Sequence, residues 1–249
     1  MLTAERHKFI LDQLRERGAV LNTELMQELQ TSESTIRRDI SFLAGEGLCQ
    51  RVHGGAIIEE SPSGDRDDAV LLRKQRHRKE KLAVAREAAK LIRDGELIYL
   101  DAGTTTELMI DFIRGKNLTF VTNAISHARR LGQRGFTCYI LGGQFKSVTE
   151  AIVGEEAGLS VSKYNFARAF LGANGVDLVS GFTTPELKEA YIKHQAMAAS
   201  RKVYILADAS KFGLVAPISF GAFADASVLV AGPLDDKYRR CKNIREVSE

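Results

Sequence analysis

From residue 82 onward, short apolar segments alternate with longer segments of helical periodicity. The segments with strand character are LIYLD (97–101), LTFVT (118–122), TCYIL (137–141), ARAFL (167–171), VYILA (203–207) and SVLVA (227–231). The predicted helices between them include 82–93, 105–114, 124–134 and 186–200. Short buried strands that alternate with helices are typical of a mostly parallel sheet covered on both faces. The pattern therefore predicts a large α/β domain over residues 82–249.

Residues 1–57 follow a different, mostly helical pattern. Apolar residues at helical spacing predict a helix over 5–17, which Gly18 ends, and AVL (19–21) predicts a short strand. Three further elements are a second helix capped by Asn22 or Thr23, a third helix with Ile36, Ile40 and Leu43 facing inward, and a hairpin closed by Gly54 and Gly55. This order of elements is the outline of a winged helix-turn-helix domain.

Residues 58–81 are predicted to connect the two domains. The segment EESPSGDRDDA (59–69) is rich in Pro, Gly and Asp and almost free of apolar residues, which is typical of a linker. The segment RKQRHRKEK (73–81) predicts a charged helix. Its alternating charges favour a solvated connecting helix, and the alternative is a second basic contact with DNA.

Composition favours a folded protein of the cytoplasm. The chain has 249 residues, of which 44% are apolar and 27% charged, so it can bury a sizeable core. No apolar run approaches the roughly 20 residues that cross a bilayer, and the first ten residues lack the apolar core of a signal peptide. Cys49, Cys138 and Cys241 are widely spaced and odd in number, which fits a reducing compartment. The histidines lack metal-ligand spacing, so we expect no metal. We expect no membrane association either, because no apolar run is long enough to cross a bilayer.

The start of the third predicted helix is the first candidate site. Residues 1–57 hold seven Lys or Arg against eight Asp or Glu, so any positive surface must be local. In a helix-turn-helix the second helix of the motif enters the major groove, where arginine and hydroxyl groups contact bases and phosphates. The candidate DNA-binding residues are Ser32, Ser34, Thr35, Arg37, Arg38, Arg51 and His53. The alternative is an ordinary capped helix with a solvated charged face.

The carboxyl ends of the predicted strands form the second candidate site. Ligands of open parallel sheets bind outside these ends. Asp101, Gly103 and Thr104-Thr105-Thr106 follow one strand, Thr122 and Asn123 end the next, and Gly142 follows the third. Backbone N–H groups and hydroxyls at a strand-to-helix junction suit a phosphate. Lys211 follows a later strand, whereas Glu189 and Lys193, four residues apart, also fit a surface ion pair.

The segment STIRRDISFLAGEGLCQRVHGGAI (34–57) resembles the DNA-binding signature of the DeoR family of bacterial transcriptional regulators. The resemblance extends over nearly the whole chain and implies that the third helix binds DNA, with Asp39 in a structural role. It implies an effector domain similar in fold to ribose-5-phosphate isomerase that binds a phosphorylated sugar. The residues it places in that pocket are Asp101, Gly103, Thr104, Thr105 and Thr106, with Thr122, Asn123, Gly142, Glu189, Lys193 and Lys211 around it. Arg168 departs from the family pattern, which commonly has an acid there.

The expected function is that of a repressor of a sugar-utilisation operon, released from its operator by a phosphorylated sugar. One small domain with few basic residues is unsuited to tight binding alone, so a homodimer or homotetramer on double-stranded operator DNA is expected. The alternative is a sugar-phosphate isomerase with an attached DNA-binding module. Asp101, Asp177 and Glu189 remain as conceivable bases, but GANGVD (172–177) carries Asn174 where such isomerases have an acid, so no enzyme and no cofactor are expected.

Overall fold

A computed structural model describes residues 3–17, 19–46, 48–52, 54–57, 70–147 and 149–248. The chain divides into two compact units, Met1–Ser61 and Pro62–Glu249. Among the described residues, no helix combines the length and the apolar character needed to span a membrane.

The first unit is a three-helix domain with a small antiparallel sheet. Its elements are α1 (Thr3–Arg17), β1 (Ala19–Leu21), α2 (Asn22–Leu29), α3 (Glu33–Gly45), β2 (Gln50–Val52) and β3 (Gly55–Ile57). The strand order is β1-β3-β2, with Ala56 paired to both Val20 and Arg51. The predicted order of helices and the predicted hairpin are confirmed.

The core of the first unit joins all three helices. Its buried members are Ile10, Leu14, Val20, Leu25, Ile36, Ile40, Leu43 and Ala56. Gly55 is required at the hairpin because a Cβ there would lie 2.0 Å from the carbonyl oxygen of Val20. The predicted cap of α2 is wrong: the N-cap position is Leu21, without a side-chain hydrogen bond, and Asn22 already lies inside the helix.

The second unit contains a seven-stranded parallel sheet. Its strands are β4 (Leu97–Leu100), β5 (Thr119–Thr122), β6 (Thr137–Ile140), β9 (Arg168–Leu171), β12 (Val203–Asp208), β14 (Ser227–Ala231) and β15 (Ile244–Glu246), in the order β15-β14-β12-β9-β4-β5-β6. All six predicted strands are present, and their pairings are parallel. The seventh strand, β15, was not predicted. The expected α/β class is confirmed.

Helices cover both faces of this sheet. They are α4 (Val70–Gln75), α5 (Arg78–Ala89), α6 (Thr104–Met109), α7 (Ile125–Gln133), α8 (Glu155–Val161), α9 (Leu187–Ala198) and α10 (Asp236–Arg239). Side chains of β4 alternate between two hydrophobic clusters, because Tyr99 belongs to one while Ile98 and Leu100 belong to the other. A strand buried on both faces explains the continuous apolar run in the sequence.

Two small antiparallel sheets flank the main sheet. One joins β7 (Gln144–Lys146) to β8 (Ala151–Val153), and the other has the order β10 (Gly175–Asp177), β11 (Gly181–Thr184) and β13 (Ile218–Gly221). These strands contain only three or four residues each and were not predicted, since such short segments carry little alternation.

The segment predicted as one solvated connecting helix forms two helices instead. Helix α4 ends at Gln75 and α5 begins at Arg78, with His77 between them in a left-handed conformation at φ 52°. Lys81 is 5% exposed, and burial lowers its pKa to about 8. Its ammonium donates to the carbonyl oxygen of Arg73. The prediction of a solvated face is therefore wrong at Lys81.

Candidate functional site

Helix α3 presents a polar face on the side opposite its buried residues. The Ser32 side chain caps the helix by accepting from the backbone N–H of Thr35 at 3.4 Å. Ser34, Arg37 and Arg38 are exposed, whereas Ile36 and Ile40 are buried. The Arg37 guanidinium pairs with Glu33 at 2.6 Å, and both side chains are at least half exposed. Such a pair contributes little to stability, so Arg37 can exchange it for another anion.

The β2–β3 hairpin adds a further arginine beside α3. Arg51 donates to the Ser41 hydroxyl at 3.3 Å, and Ser41 in turn donates to the Arg37 carbonyl oxygen at 2.7 Å. All three residues of β2 are exposed. His53 lies outside the described residues. The structure thus brings six of the seven candidate residues together on one side of the unit.

Asp39 points inward from α3 rather than toward that polar face. Its carboxylate accepts from Arg6 Nε at 2.8 Å and lies 2.9 Å from His7 Nε2. Burial opposes its ionisation, but the hydrogen bonds from Arg6 and His7 outweigh burial and hold the Asp39 pKa below its usual value. The His7 ring stacks on Phe42 with centroids 4.9 Å apart. Asp39 therefore ties α1 to α3, and its charge is compensated internally.

At the carboxyl edge of the main sheet, Asp101 forms a buried ion pair with Lys193. Asp101 follows β4, and Lys193 comes from α9. The Lys193 ammonium contacts Asp101 Oδ2 and donates to the Gly172 carbonyl oxygen at 3.0 Å, while the Gly172 N–H donates to the same carboxylate at 3.1 Å. The two side chains are 9% and 3% exposed. The pair links the ends of β4 and β9 to α9.

Three other predicted residues hold the strand ends in place. Thr106 donates to the Asp101 carbonyl oxygen at 2.7 Å and lies 3.1 Å from His127 Nε2. Asn123 accepts from the Ala102 N–H at 2.9 Å and donates to the Ile152 carbonyl oxygen at 3.2 Å. Thr122 accepts from the N–H of Ala124 at 3.1 Å. These side chains are buried, and their polar atoms are engaged within the protein.

A narrow cleft, partly open to solvent and with a cavity volume of about 10 Å³, lies next to these strand ends. It is lined by Val70, Arg73, Ala102, Gly103, Thr104, Glu107, Ala124, Ser126, His127, Thr149 and Glu150. Gly103 and Thr104 are the predicted residues among them. Helix α6 has only six residues, so its dipole adds little positive potential to the cleft.

The remaining predicted residues do not line this cleft. Thr105 is buried, and Gly142 is exposed at the end of β6 with open space where a Cβ would stand. Lys211 is half-buried after β12. Glu189 does not form the predicted surface pair with Lys193, which contacts Asp101 instead. It accepts from Thr149 at 2.9 Å and pairs with Lys146 at 3.2 Å.

Six polar residues of the cleft were missed from the sequence: Arg73, Glu107, Ser126, His127, Thr149 and Glu150. Ser126 and His127 lie three and four residues after Asn123, which was predicted at the strand end. Extending the rule for strand ends by one helical turn would therefore have found them. Thr149 precedes β8, and Arg73 lies on α4. Neither Thr149 nor Arg73 follows a predicted strand, so the sequence pattern carried no signal for them.

Two family models cover most of the chain. The DeoR-like helix-turn-helix domain matches residues 6–62, and the DeoR C terminal sensor domain matches residues 76–232. The chain belongs to the DeoR family. The Bacillus subtilis protein named "Uncharacterized HTH-type transcriptional regulator FruR" is 41% identical, over 92% of this chain and 91% of its own. The lactose phosphotransferase system repressor of Streptococcus mutans is 30% identical over 95% and 94%.

Solved structures resemble this DeoR-family chain only at low similarity. Ribose 5-phosphate isomerase from Plasmodium falciparum gives a TM-score of 0.40 at 15% identity, covering 54% of this chain and 52% of its own. The Pyrococcus horikoshii translation initiation factor eIF-2B gives 0.44 at 16% identity, covering 85% and 81%. These likenesses carry no argument about chemistry.

The departure of this DeoR-family chain at Arg168 lies away from the cleft. Arg168 begins β9 and is in register with Ile98, near the amino end of β4. Its guanidinium pairs with Glu96 at 2.8 Å and donates to the Tyr204 hydroxyl at 3.2 Å. Arg168 therefore lies at the amino ends of the strands, at the opposite edge of the sheet from the cleft.

His127 is a buried titratable group beside the cleft of this DeoR-family chain. Burial lowers its pKa from 6.5 to about 4, despite the nearby carboxylates of Glu107 and Asp101. Its ring nitrogens lie 3.1 Å from the Thr106 hydroxyl and 3.2 Å from the Ser126 hydroxyl. The ring is therefore neutral in the folded protein at neutral pH.

Stability is expected to fall as the pH is lowered from 6.5 toward 4, because unfolded His127 binds a proton that folded His127 does not. The loss from this residue approaches about 3 kcal/mol in the free energy of unfolding. Urea unfolding at several pH values measures it. His127→Gln should remove this part of the pH dependence, whereas His194→Gln, at an exposed position, should keep it. If the free energy of unfolding changes equally with pH in all three proteins, His127 is not the group responsible.

Proposed function

We propose that the chain is a sugar-responsive transcriptional repressor. Its first unit binds operator DNA through α3 and the β2–β3 hairpin, and its second unit binds a phosphorylated sugar in the cleft. Sugar binding releases the operator. The proposal joins the geometry of the two sites with membership of the DeoR family.

The proposal that the first unit binds DNA rests on the directions in which the charged side chains of α3 point. Arg37 and Arg38 are exposed on the helix, while the carboxylate of the next residue, Asp39, is turned inward onto Arg6 and His7. An outward carboxylate would repel phosphate. Its internal compensation leaves the arginines free to meet guanine acceptors or phosphate oxygens.

The proposed assembly is a homodimer or homotetramer. The first unit offers only Arg37, Arg38 and Arg51 as described cations around its polar face. Specific protein–DNA interfaces use many phosphate contacts, and two-fold proteins obtain them by occupying two half-sites. A second copy of the chain therefore doubles both the contacts and the base readout.

Support for a sugar phosphate comes from the chemistry of the cleft and from relatives. Thr104, Ser126 and Thr149 bring hydroxyls, and Arg73 brings a cation, to one opening at the end of the sheet. Hydroxyls and the carboxylates of Glu107 and Glu150 can form hydrogen bonds with sugar hydroxyls, while the cation of Arg73 can pair with a phosphate. The printed name of the Streptococcus mutans relative, a lactose phosphotransferase system repressor, supports a sugar as the ligand class.

The surroundings of the three carboxylates considered as isomerase bases support ligand binding without catalysis. Asp101 is occupied by Lys193 and Gly172. Hydrogen bonds from the N–H groups of Ser180 and Val179 lower the pKa of Asp177. Burial raises the pKa of Glu189, but Lys193, Lys146 and Thr149 outweigh burial and lower it. A general base works best with a pKa near the operating pH, so Asp177 and Glu189 are poorly tuned for proton abstraction.

The proposal is tested with DNA duplexes that the protein selects from a random library. Operator affinity is then measured by fluorescence anisotropy with phosphorylated pentoses and hexoses, each beside its unphosphorylated parent. One phosphorylated sugar is expected to weaken operator binding by roughly 5- to 150-fold, the usual range of coupling between two sites. The parent sugar should have no effect.

Variants separate the two parts of the proposal. Thr104→Val combined with Ser126→Ala should reduce the response to the sugar phosphate and leave DNA affinity unchanged. Lack of any response to every phosphorylated sugar would sink the effector proposal while leaving the DNA-binding one intact. Isomerase turnover of any of these sugars would instead support the alternative enzyme.

A further inference from the structure

We propose that Arg73 on α4 binds the anionic group of the ligand, and that this contact places α4 under the control of the ligand. The inference rests on the proposed function and names the residue that reads the phosphate. Helix α4 would then connect ligand binding to the segment of chain between the two units.

The guanidinium of Arg73 has no partner in the described protein. Arg73 lines the cleft together with Gly103, Thr104, Ser126 and Thr149. Its Nε atom is buried and makes no hydrogen bond, and no ion pair joins its guanidinium to any residue that the structure describes. A buried donor of this kind is costly to leave unsatisfied. A ligand anion would satisfy it.

The described acidic neighbours of Arg73 leave its guanidinium without an anion. Glu107, an acid that also lines the cleft, is already paired with Lys74 at 2.9 Å and with Arg130 at 3.4 Å. Glu150 lies on the cleft as well, but no described contact joins it to Arg73. Lys74, next to Arg73 on the same helix, is thus compensated, whereas no carboxylate that the structure describes compensates Arg73. The contrast between adjacent cations points to a ligand for Arg73.

The chemistry of arginine narrows the class of that ligand. A guanidinium offers two parallel N–H donors that match the oxygens of a phosphate or carboxylate. The hydroxyls of Thr104 and Ser126 on the same cleft can bind the remaining oxygens or sugar hydroxyls, and Thr149, whose hydroxyl donates to Glu189, can accept from a sugar hydroxyl. A phosphorylated sugar satisfies both sets of groups, whereas an unphosphorylated sugar leaves the guanidinium unpaired.

The position of α4 in the chain gives the contact a regulatory consequence. Helix α4 is the first described element of the second unit, and residues 58–69 connect it to β3 of the first unit. Two contacts hold α4 within its own unit: Lys74 with Glu107, and the ammonium of Lys81 with the Arg73 carbonyl oxygen. An anion held by Arg73 adds a third contact. Binding therefore restricts the helix from which the chain continues toward the DNA-binding unit.

The test compares Arg73→Gln and Arg73→Lys with the parent protein and with Arg78→Gln, a control for loss of an exposed arginine on the next helix. Thermal shift measures the affinity for inorganic phosphate and for phosphorylated sugars beside their unphosphorylated parents. Arg73→Gln should weaken binding of the phosphorylated sugar about 10- to 100-fold, as expected for loss of a charged hydrogen-bond partner. Arg73→Lys should lie between, and Arg78→Gln should match the parent.

Two further readouts distinguish ligand binding from a structural role. The ligand-free Arg73→Gln protein should melt at the same or a higher temperature, because an unsatisfied buried donor has been removed. Hydrogen exchange of α4 amides should slow when the parent binds ligand and should not slow in Arg73→Gln. Equal sugar-phosphate affinity in Arg73→Gln and the parent overturns the inference alone. Failure of the parent to bind any of the phosphorylated compounds overturns the proposed effector function as well.

Discussion

Arg37→Ala is expected to lose sequence-specific DNA binding while it keeps its fold and its ligand response. A well-placed arginine contributes about 1–3 kcal/mol of discrimination between bases, and an operator with two half-sites counts the residue twice. Affinity for the selected operator should fall by roughly 10²- to 10⁴-fold. The structural cost is small because Arg37 is exposed and its only described ion pair, with Glu33, is also exposed.

Fluorescence anisotropy against the selected duplex and a scrambled duplex measures this loss. Arg17→Ala is the matched control, because it removes an exposed arginine that pairs with Glu24 and Glu28 of α2. That variant should retain the preference for the selected duplex. If Arg37→Ala distinguishes the two duplexes as well as the parent does, α3 is not the helix that reads the bases.

Lys193→Met is expected to destabilise the second unit strongly. It leaves the Asp101 carboxylate buried at 3% exposure without its cation. Removal of one partner of a buried pair costs about 3–5 kcal/mol. For a unit of this size, such a loss lowers the melting temperature by roughly 6–20 °C. Differential scanning calorimetry of the whole chain measures the transition of the larger unit.

Lys188→Met, an exposed substitution on the same helix, should change the melting temperature little. The double variant Asp101→Leu, Lys193→Met should recover most of the lost stability, since apolar residues often replace a buried ion pair without cost. It should not recover the response to the sugar phosphate if the pair also orients the cleft. A single Lys193→Met variant that melts like the parent would show that the pair contributes nothing to stability.

The first unit could be predicted almost completely from the sequence. The buried side of α3 follows from Ile36, Ile40 and Leu43 at helical spacing, and the hairpin follows from Gly54 and Gly55. These signals are local, because each depends on residues within one or two turns of chain. The inward orientation of Asp39 was predicted as structural, but its partners, Arg6 and His7, lie 33 and 32 residues away and could not be identified.

The second site was less predictable because it depends on distant residues. The spacing of Glu189 and Lys193 predicts a pair along one helix, whereas Lys193 instead reaches Asp101, 92 residues away in sequence. Only the sheet order brings those positions together. The strand-end rule located Gly103 and Thr104 at the cleft, but it had no means of finding Arg73, which comes from a helix outside the strand–helix alternation.

The position of β4 between β9 and β5 in the sheet has a consequence for folding during synthesis. Its neighbours in the sheet are β5, which follows closely in sequence, and β9. Ile98 of β4 pairs with Arg168 of β9, so this partner strand is synthesised about seventy residues later. The first unit needs no such distant partner and can fold while the ribosome is still at work. A nascent chain that stops before β9 therefore carries a finished DNA-binding unit followed by a partial sheet of β4, β5 and β6, in which the apolar strand β4 has an unpaired edge that is prone to aggregation.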